Sequence, residues 1–410
     1  VSAPSFARLT LPLAGLNFTN QASRTLIATI GPLLAVEFAL SASELGLLAA
    51  MFFAAYAAAQ LPVGLALDVW GARRVQALLA LVAAAGFVLC ALATGPFALA
   101  VGRVVTGIGI SAGLIAMLKV NAQWHPKARV AQLTGWGVFI GSLGSLAATL
   151  PAAMLVPVLG WRGVFLLLGA MAVAVSLWIW LAVPERGPGP PPARRSLATE
   201  AREFGRIFAD ARFLRLMPAI ALLSAMNFTY QGLWAGPWLR DVGGLDEAGR
   251  AALLLFYALG LMAGSAGFGH AASFLQARGW GPMTTPCVAL GGMAAVQALL
   301  IVDPSHHVVV LGLLWFVFAL CGAAGPAGYA AIGQGFAPAL AARVATAVNV
   351  AMLAMVFLLQ NAIGWILDLW PRTAAGGWDP AGYAWSFGMT LALQAAAVAW
   401  MLRPARGGRS

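Results

Sequence analysis

Gly64-Leu65-Ala66-Leu67-Asp68-Val69-Trp70-Gly71-Ala72-Arg73-Arg74 joins two apolar runs, residues 44–67 and 75–94. Each run meets the ~20 residues that a helix needs to cross ~30 Å of hydrocarbon. The chain between them is too short for anything but a turn. The stretch therefore reads as a hairpin of two membrane helices with a basic tip. Gly64 would permit close helix approach and Gly71 a tight turn, while Asp68 can face a helix N-terminus or the pair Arg73 and Arg74.

Outward from this hairpin the pattern repeats. Twelve spans are predicted: 10–38, 44–67, 75–94, 97–119, 132–157, 162–183, 213–238, 250–276, 283–302, 307–330, 343–369 and 382–402. Hydrophobic residues make up 61% of the chain and charged residues 9%, against about 25% charged in a soluble protein. That balance excludes a soluble enzyme, a disordered chain and a nucleic-acid-binding domain, despite the net charge of +11. With both termini placed inside, 18 of the 24 Lys and Arg residues fall on the inner side and four, Arg162, Arg240, Arg250 and Arg372, on the outer. Such a bias orients membrane proteins with their basic loops in the cytoplasm. Arg24 and Arg103 remain within the bilayer.

The one long polar segment, 184–212, opens with Gly187-Pro188-Gly189-Pro190-Pro191-Pro192, a stiff linker. Leu197, Ala201, Phe204 and Phe208 then recur at helical spacing among Arg202, Glu203 and Arg206, which predicts an amphipathic helix on the inner membrane face. It separates an N-terminal six-helix bundle, 1–183, from a C-terminal one, 213–410. An internal repeat agrees with that division. Leu16-Asn17-Phe18-Thr19-Asn20-Gln21 in span 1 and Met226-Asn227-Phe228-Thr229-Tyr230-Gln231 in span 7 share four of six residues at an offset of 210, and each is followed by a Gly-Pro pair. Duplicated halves are a common construction of transporter folds.

The hairpin tip resembles the loop signature of the major facilitator superfamily, G-x-x-x-D-[RK]-x-G-x-[RK]-[RK], with Val69 in place of the expected base. Arg103-Val104-Val105-Thr106-Gly107-Ile108-Gly109 is similar to that family's fourth-helix motif, and Gly160-Trp161-Arg162-Gly163 and the run from Asn349 to Asp368 also resemble its members. The second-half counterpart of the loop, Gly269-His270-Ala271-Ala272-Ser273, lacks the acid. The resemblance implies an all-α integral membrane protein with twelve transmembrane helices in two pseudo-symmetric six-helix bundles. It further implies transport by alternating access, with Gly64, Asp68, Gly71, Arg73 and Arg74 as a conformational latch and a central cavity lined by helices 1, 4, 7 and 10. Arg103 reads either as part of that machinery or as a structural arginine bonded to backbone carbonyls. Gly137-x-x-x-Gly141 and Gly260-x-x-x-Gly264 would let helix backbones touch, either across the two halves or within one.

Asn17, Asn20, Gln21 and Arg24 stand at i, i+3, i+4 and i+7, on one face of a helix. Asn227, Tyr230, Gln231 and Trp234 repeat the spacing in span 7. Polar stripes at mid-span are expensive unless they meet water, protein or ligand. Arg24 lies roughly 18 Å from the inner end of its span, and none of the thirteen acids is clearly mid-span. A bound anion would supply the missing partner, held bidentately. The superfamily's phosphate-ester carriers have an arginine on both helices 1 and 7. Trp234 stands at the second position here, so the expected cargo is a small organic monoanion with an apolar or planar body, stacked on Trp234, Trp238 or Tyr230. Lys119 and His270 are weaker candidates for the cavity.

The reading is thus a secondary transporter of an organic anion, proton-coupled or exchange-driven, monomeric, in a bacterial cytoplasmic membrane. A drug exporter and a transporter-like ligand sensor are the alternatives. Three scattered cysteines and the absence of metal-ligand or nucleotide motifs predict no metal, cofactor, nucleic-acid partner or enzymatic activity. Single cysteines introduced near Asp241 and Asp379 should react with an impermeant maleimide applied outside intact cells, and one near Arg74 should not. The reverse pattern would overturn the orientation.

Overall fold

A computed structural model describes residues 6–185, 197–302, 307–337 and 340–403. The proline-rich linker 187–192 and Arg186, Arg194, Arg195, Arg406 and Arg409 lie outside the described residues. The described chain is helical, without strands. Spans 1 to 3 are α1 (Phe6–Glu37), α2 (Ala42–Val69) and α3 (Ala72–Ala91), and span 4 is divided into α4 (Pro96–Gly109) and α5 (Gly113–Trp124). Span 5 begins as α6 (Lys127–Ala147) and continues into α7 (Leu150–Ala182), whose Gly160 at φ +67° marks the turn into span 6. After α8 (Leu197–Ala209), span 7 comprises α9 (Ala211–Thr229), a π turn at Tyr230–Trp234 and α10 (Ala235–Asp241). Spans 8 and 9 are α11 (Glu247–Ala277) and α12 (Thr284–Val302). Span 10 is divided into α13 (Val308–Gly322) and α14 (Gly325–Gly333), and α15 (Ala341–Leu367) and α16 (Pro380–Leu402) complete the chain. Ten helical stretches among the described residues are long and apolar enough to cross a membrane by length and composition. The polar-striped α1 and the passage from α6 into α7 make the twelve.

The breaks are placed where hydrocarbon does not reach them. Irregular backbone at membrane depth survives only inside protein or beside a cavity, because lipid offers no hydrogen bonds. At the break of span 4, buried Gln60 donates from Nε2 to the Ser111 carbonyl (3.2 Å) and buried Gln76 to the Ala112 carbonyl (3.1 Å). The corresponding break of span 10 falls at Ala323–Ala324, after Gly322 has packed against Asn227.

Helices α1–α7 pack among themselves, as do α9–α16, and the two groups meet through α2 with α15, α1 with the π turn and α10, and α11 with α6 and α7. The two small-residue motifs do not make those seams. Gly137 and Gly141 face Met117 and Asn17, and Gly260 and Gly264 face the Phe316 and Leu320 carbonyls, so both serve packing within one bundle. The close approach between bundles uses other glycines. A Cβ at Gly364 would stand 2.6 Å from the Ala42 carbonyl oxygen, one at Gly46 2.5 Å from that of Gln360, and Gly236 leans on the Ala28 carbonyl.

These contacts seal the seam at one end. There the Asp368 carboxylate, at the end of α15, accepts from the Ala42 and Ser43 amides at 2.8 and 2.9 Å, and Arg372 donates to the Leu40 carbonyl. A carboxylate at the start of α2 meets free amides and the positive end of the helix dipole. On the same end Glu37 takes hydrogen bonds from Trp161 Nε1 (2.6 Å) and Arg162 (2.7 Å) within the first bundle.

The amphipathic helix α8 departs from the sequence reading. Its apolar face, with Ile207, Phe204 and Phe208, packs on Phe213, Ile332 and Val344 of the second bundle rather than on lipid, and Glu203 faces Arg343 at 3.9 Å.

Replacing Asp368 by Ala removes two charge-assisted hydrogen bonds and should weaken the seal by roughly 1.5–3 kcal/mol. In a variant freed of native cysteines, the buried thiol of Leu45→Cys should then react faster with a maleimide from the Asp368 side. Unchanged reactivity would show that the cap does not hold the seal.

Candidate binding cavity

Between the bundles, next to the seal, lies a cavity of about 190 Å³. One wall is the predicted stripe of α1: Asn17, Asn20, Gln21 and Arg24 all line it. Opposite stand Ser224, Asn227 and Phe228 of α9, with Tyr56, Tyr329, Asn349 and Met352 closing the sides. No Asp or Glu is among the lining residues.

Arg24 is 5% exposed. Its Nη2 donates to Gln21 Oε1, one helical turn back, and its guanidinium carbon sits 3.9 Å from the centroid of the Phe228 ring. Phe228 is in turn stacked on Phe53 of α2, centroids 6.5 Å apart and planes at 18°. Arg24 Nε has no hydrogen-bond partner, and neither has Asn20 Oδ1. Asn227 accepts from the Tyr257 hydroxyl at its Oδ1 (2.8 Å) and its carbonyl (3.0 Å). The cavity wall therefore holds a cation supported by a ring on one face and by Gln21 at Nη2, with Nε unpaired.

The second stripe is only partly there. Asn227 lines the cavity; Tyr230, Gln231 and Trp234 do not. Tyr230 points into the second bundle, and Gln231 and Trp234 stay on the seam but within its sealed part, beyond the cavity. Tyr230 is stacked on Phe387 (5.1 Å, 6°) beside Phe318 in the second bundle. Gln231 Nε2 donates to Ser145 Oγ across the seam (3.1 Å), and Trp234 Nε1 to the Gln360 carbonyl (3.3 Å). Trp238 is buried against Trp315. The expected stacking of a cargo on Tyr230, Trp234 or Trp238 is thus corrected. The aromatic surfaces the cavity offers are Tyr56, Phe228 and Tyr329. Phe228 was within the repeated block, but an apolar residue in an apolar helix gave no sign of facing a cation.

At the hairpin tip Asp68 pairs with neither Arg73 nor Arg74. Lys119, which stays outside the cavity, holds it at 2.5 Å and also donates to the Leu67 carbonyl (2.8 Å). Arg74 is ion-paired to Glu185, and Arg73 lies over the Trp180 ring at 4.7 Å. Gly71 has φ +81° with the Glu185 carbonyl 2.8 Å from where a Cβ would be, so the turn needs glycine. Gly64 has open space around it, and the close approach expected there is absent. Arg103 is held inside the first bundle: Nη1 donates to the carbonyl (3.1 Å) and hydroxyl (3.2 Å) of Ser23, and the group lies 4.4 Å from the Phe52 centroid, while its Nε, like that of Arg24, has no hydrogen-bond partner. Gly107 and Gly109 let α4 touch the Phe52 carbonyl and the Ala83 amide. His270 is exposed and bonded to the Ala266 carbonyl.

Twelve crossings in two bundles, with a polar cavity at the seam and a seal on one side of it, define a multi-pass membrane protein with a central cavity. The chain belongs to the Major Facilitator Superfamily, whose family model matches residues 13–360. It is 28% identical over 264 residues to a probable sulfoacetate transporter of Cupriavidus necator, covering 61% of this chain and 60% of that one. A gallate transporter of Pseudomonas putida is 30% identical over 193 residues, 45% of this chain and 42% of the relative. The human monocarboxylate transporter 11 is 29% identical over 285 residues, 68% and 58%. The matches thus span three-fifths or less of these relatives' length. Among solved structures, a bacterial homologue of the human lysosomal transporter Spinster, inward-facing and unoccupied, superposes with a TM-score of 0.77 at 19% identity over 98% of this chain and 97% of that one. The nucleoside transporter NupG gives 0.74 at 15% over 96% and 99%. At these identities the likeness is one of fold.

The Asp68–Lys119 pair is partly exposed and should contribute at most ~1 kcal/mol. Thermal unfolding of Asp68→Asn, Lys119→Ala and the double variant tests the contact. The double variant should lose no more than the larger single loss, because contacting residues are not additive. Additive losses would show that the two side chains act separately.

Proposed function

We propose that this protein carries a small organic anion by alternating access, driven by a proton gradient or by exchange. The observation that supports this most is Arg24, a guanidinium in the cavity wall with an unpaired Nε and no carboxylate among its neighbours in the lining. A carboxylate or sulfonate oxygen would complete it; Asn17, Asn20 and Asn227 are the remaining polar contacts, and Tyr56, Phe228 and Tyr329 receive the body of the cargo. The relatives are named for sulfoacetate, galacturonate and gallate, all organic acids. The cavity volume of about 190 Å³ falls below the ~300–1,000 Å³ of drug-sized sites, which favours a compact cargo over a drug.

The basic asymmetry of the loops supports a cytoplasmic location of both termini, of the hairpin tip and of the linker 184–212 that divides bundle 1–183 from bundle 213–410. The sealed Asp368 end then faces outside, and this conformation is inward-facing, as in the Spinster homologue. We assign Asp68 and Lys119 to bracing the inner ends of α2 and α5 within the first bundle, with Gly71, Arg73 and Arg74 shaping the turn. The protein acts as a monomer in a bacterial cytoplasmic membrane.

Thermal stabilisation of the purified protein by a panel of carboxylates, sulfonates, phosphates and uncharged analogues identifies the cargo class, since a ligand of the folded state raises its apparent stability. Arg24→Ala should cost the effective anions ~3–5 kcal/mol of binding, more than about a hundredfold. Arg24→Lys should rescue part of this, because an ammonium lacks the planar fork. Unimpaired anion binding and transport by Arg24→Ala would refute the assignment.

A further inference from the structure

Among the described residues the hydrogen-bond partner of Arg24 is the side chain of Gln21, itself part of the cavity wall. Arginine has no acceptor, so the Gln21 amide must present Oε1 to Nη2, as it does. That oxygen occupies the edge of the guanidinium where one oxygen of a bidentate anion would lie, next to the unpaired Nε. The Gln21 side chain is half-buried and lines the cavity, so it has room to turn. Resting on the reading of Arg24 as the anion site, we propose that Gln21 is a reversible placeholder that determines which ligands engage it. With the cavity empty its carbonyl stands in for the anion. When an anion arrives, the amide gives up Nη2 and rotates, and its Nε2 donates to that same anion. A neutral amide serves both states because it carries an acceptor and a donor on one pivot. A carboxylate at this position would serve only the first.

Two variants separate the states. Gln21→Glu supplies a permanent acceptor with nothing to donate. Binding of sulfoacetate and of gallate, by calorimetry on the purified full-length protein, should fall more than about a hundredfold. Gln21→Met keeps length and removes the acceptor. Phenylglyoxal modification of Arg24 in the empty protein, followed by mass spectrometry of its peptide, should then be roughly tenfold faster than in wild type and slower than wild type in Gln21→Glu. This second readout needs no ligand and holds whichever anion is the cargo. Equal modification rates in all three proteins, or wild-type anion affinity in Gln21→Glu, would overturn the placeholder. If instead Arg24→Ala itself leaves anion binding intact, the anion site is wrong; if Arg24→Ala abolishes binding while Gln21→Glu does not, the Gln21 inference alone fails.

Discussion

A guanidinium held inside a membrane protein without a carboxylate is the constraint around which this structure is arranged. Burying a charge is costly unless hydrogen bonds and counter-charge replace its water. Among the described residues two arginines are buried in this way, and they are held differently. Arg103 is turned to the carbonyl and hydroxyl of Ser23 and to the face of Phe52, all within one bundle; it ties α4 to α1 and α2. Arg24 reaches across the seam to the face of Phe228 and is otherwise held by a single side-chain amide. Nε lacks a partner in both groups, but of the two only Arg24 lines the cavity, where its free hydrogen-bonding edge faces open space rather than packed protein.

The rest of the fold presents that group to one side. Asp368 on the N-terminus of α2, and the glycines that let α2 meet α15 and α1 meet α10, close the seam from Ala28, one turn beyond Arg24, to the outer ends of α1 and α2. The seal is not made of perfectly matched parts. Gln231 Oε1 and both side-chain polar atoms of Gln360 are buried there without partners, and each such atom costs about 1–3 kcal/mol. The breaks in spans 4 and 10 and the π turn in span 7 lie around the cavity, where Gln60, Gln76 and packed glycines replace the hydrogen bonds that lipid cannot offer.

Much of this was legible in the sequence, because membrane burial imposes simple rules. Apolar runs of fixed length revealed the crossings, and the α1 stripe fell on one face because α1 is one continuous helix. The same periodicity misplaced the cavity in span 7: Tyr230 packs into its own bundle and Gln231 and Trp234 lie in the sealed part of the seam, and the spacing of a stripe does not say where along a helix a cavity ends. Small-residue motifs were visible as close contacts but not as to which helix they contact. The partners of Asp68 and Asp368 are far away in the chain, Lys119 and the amides of Ala42 and Ser43. Spacing along the sequence has no access to such pairs. Phe228 was hidden for another reason: its role is to present a ring face to a cation, which hydropathy does not distinguish from packing.

The most direct measurement follows the Nε–H group of Arg24 itself by NMR of protein labelled with nitrogen-15 arginine, its resonance assigned by its loss in Arg24→Lys. On adding an organic anion that stabilises the protein, that resonance should shift downfield and its exchange with water should slow, while the Arg103 signal stays in place. An Arg24 Nε–H that is indifferent to every stabilising anion would contradict the account.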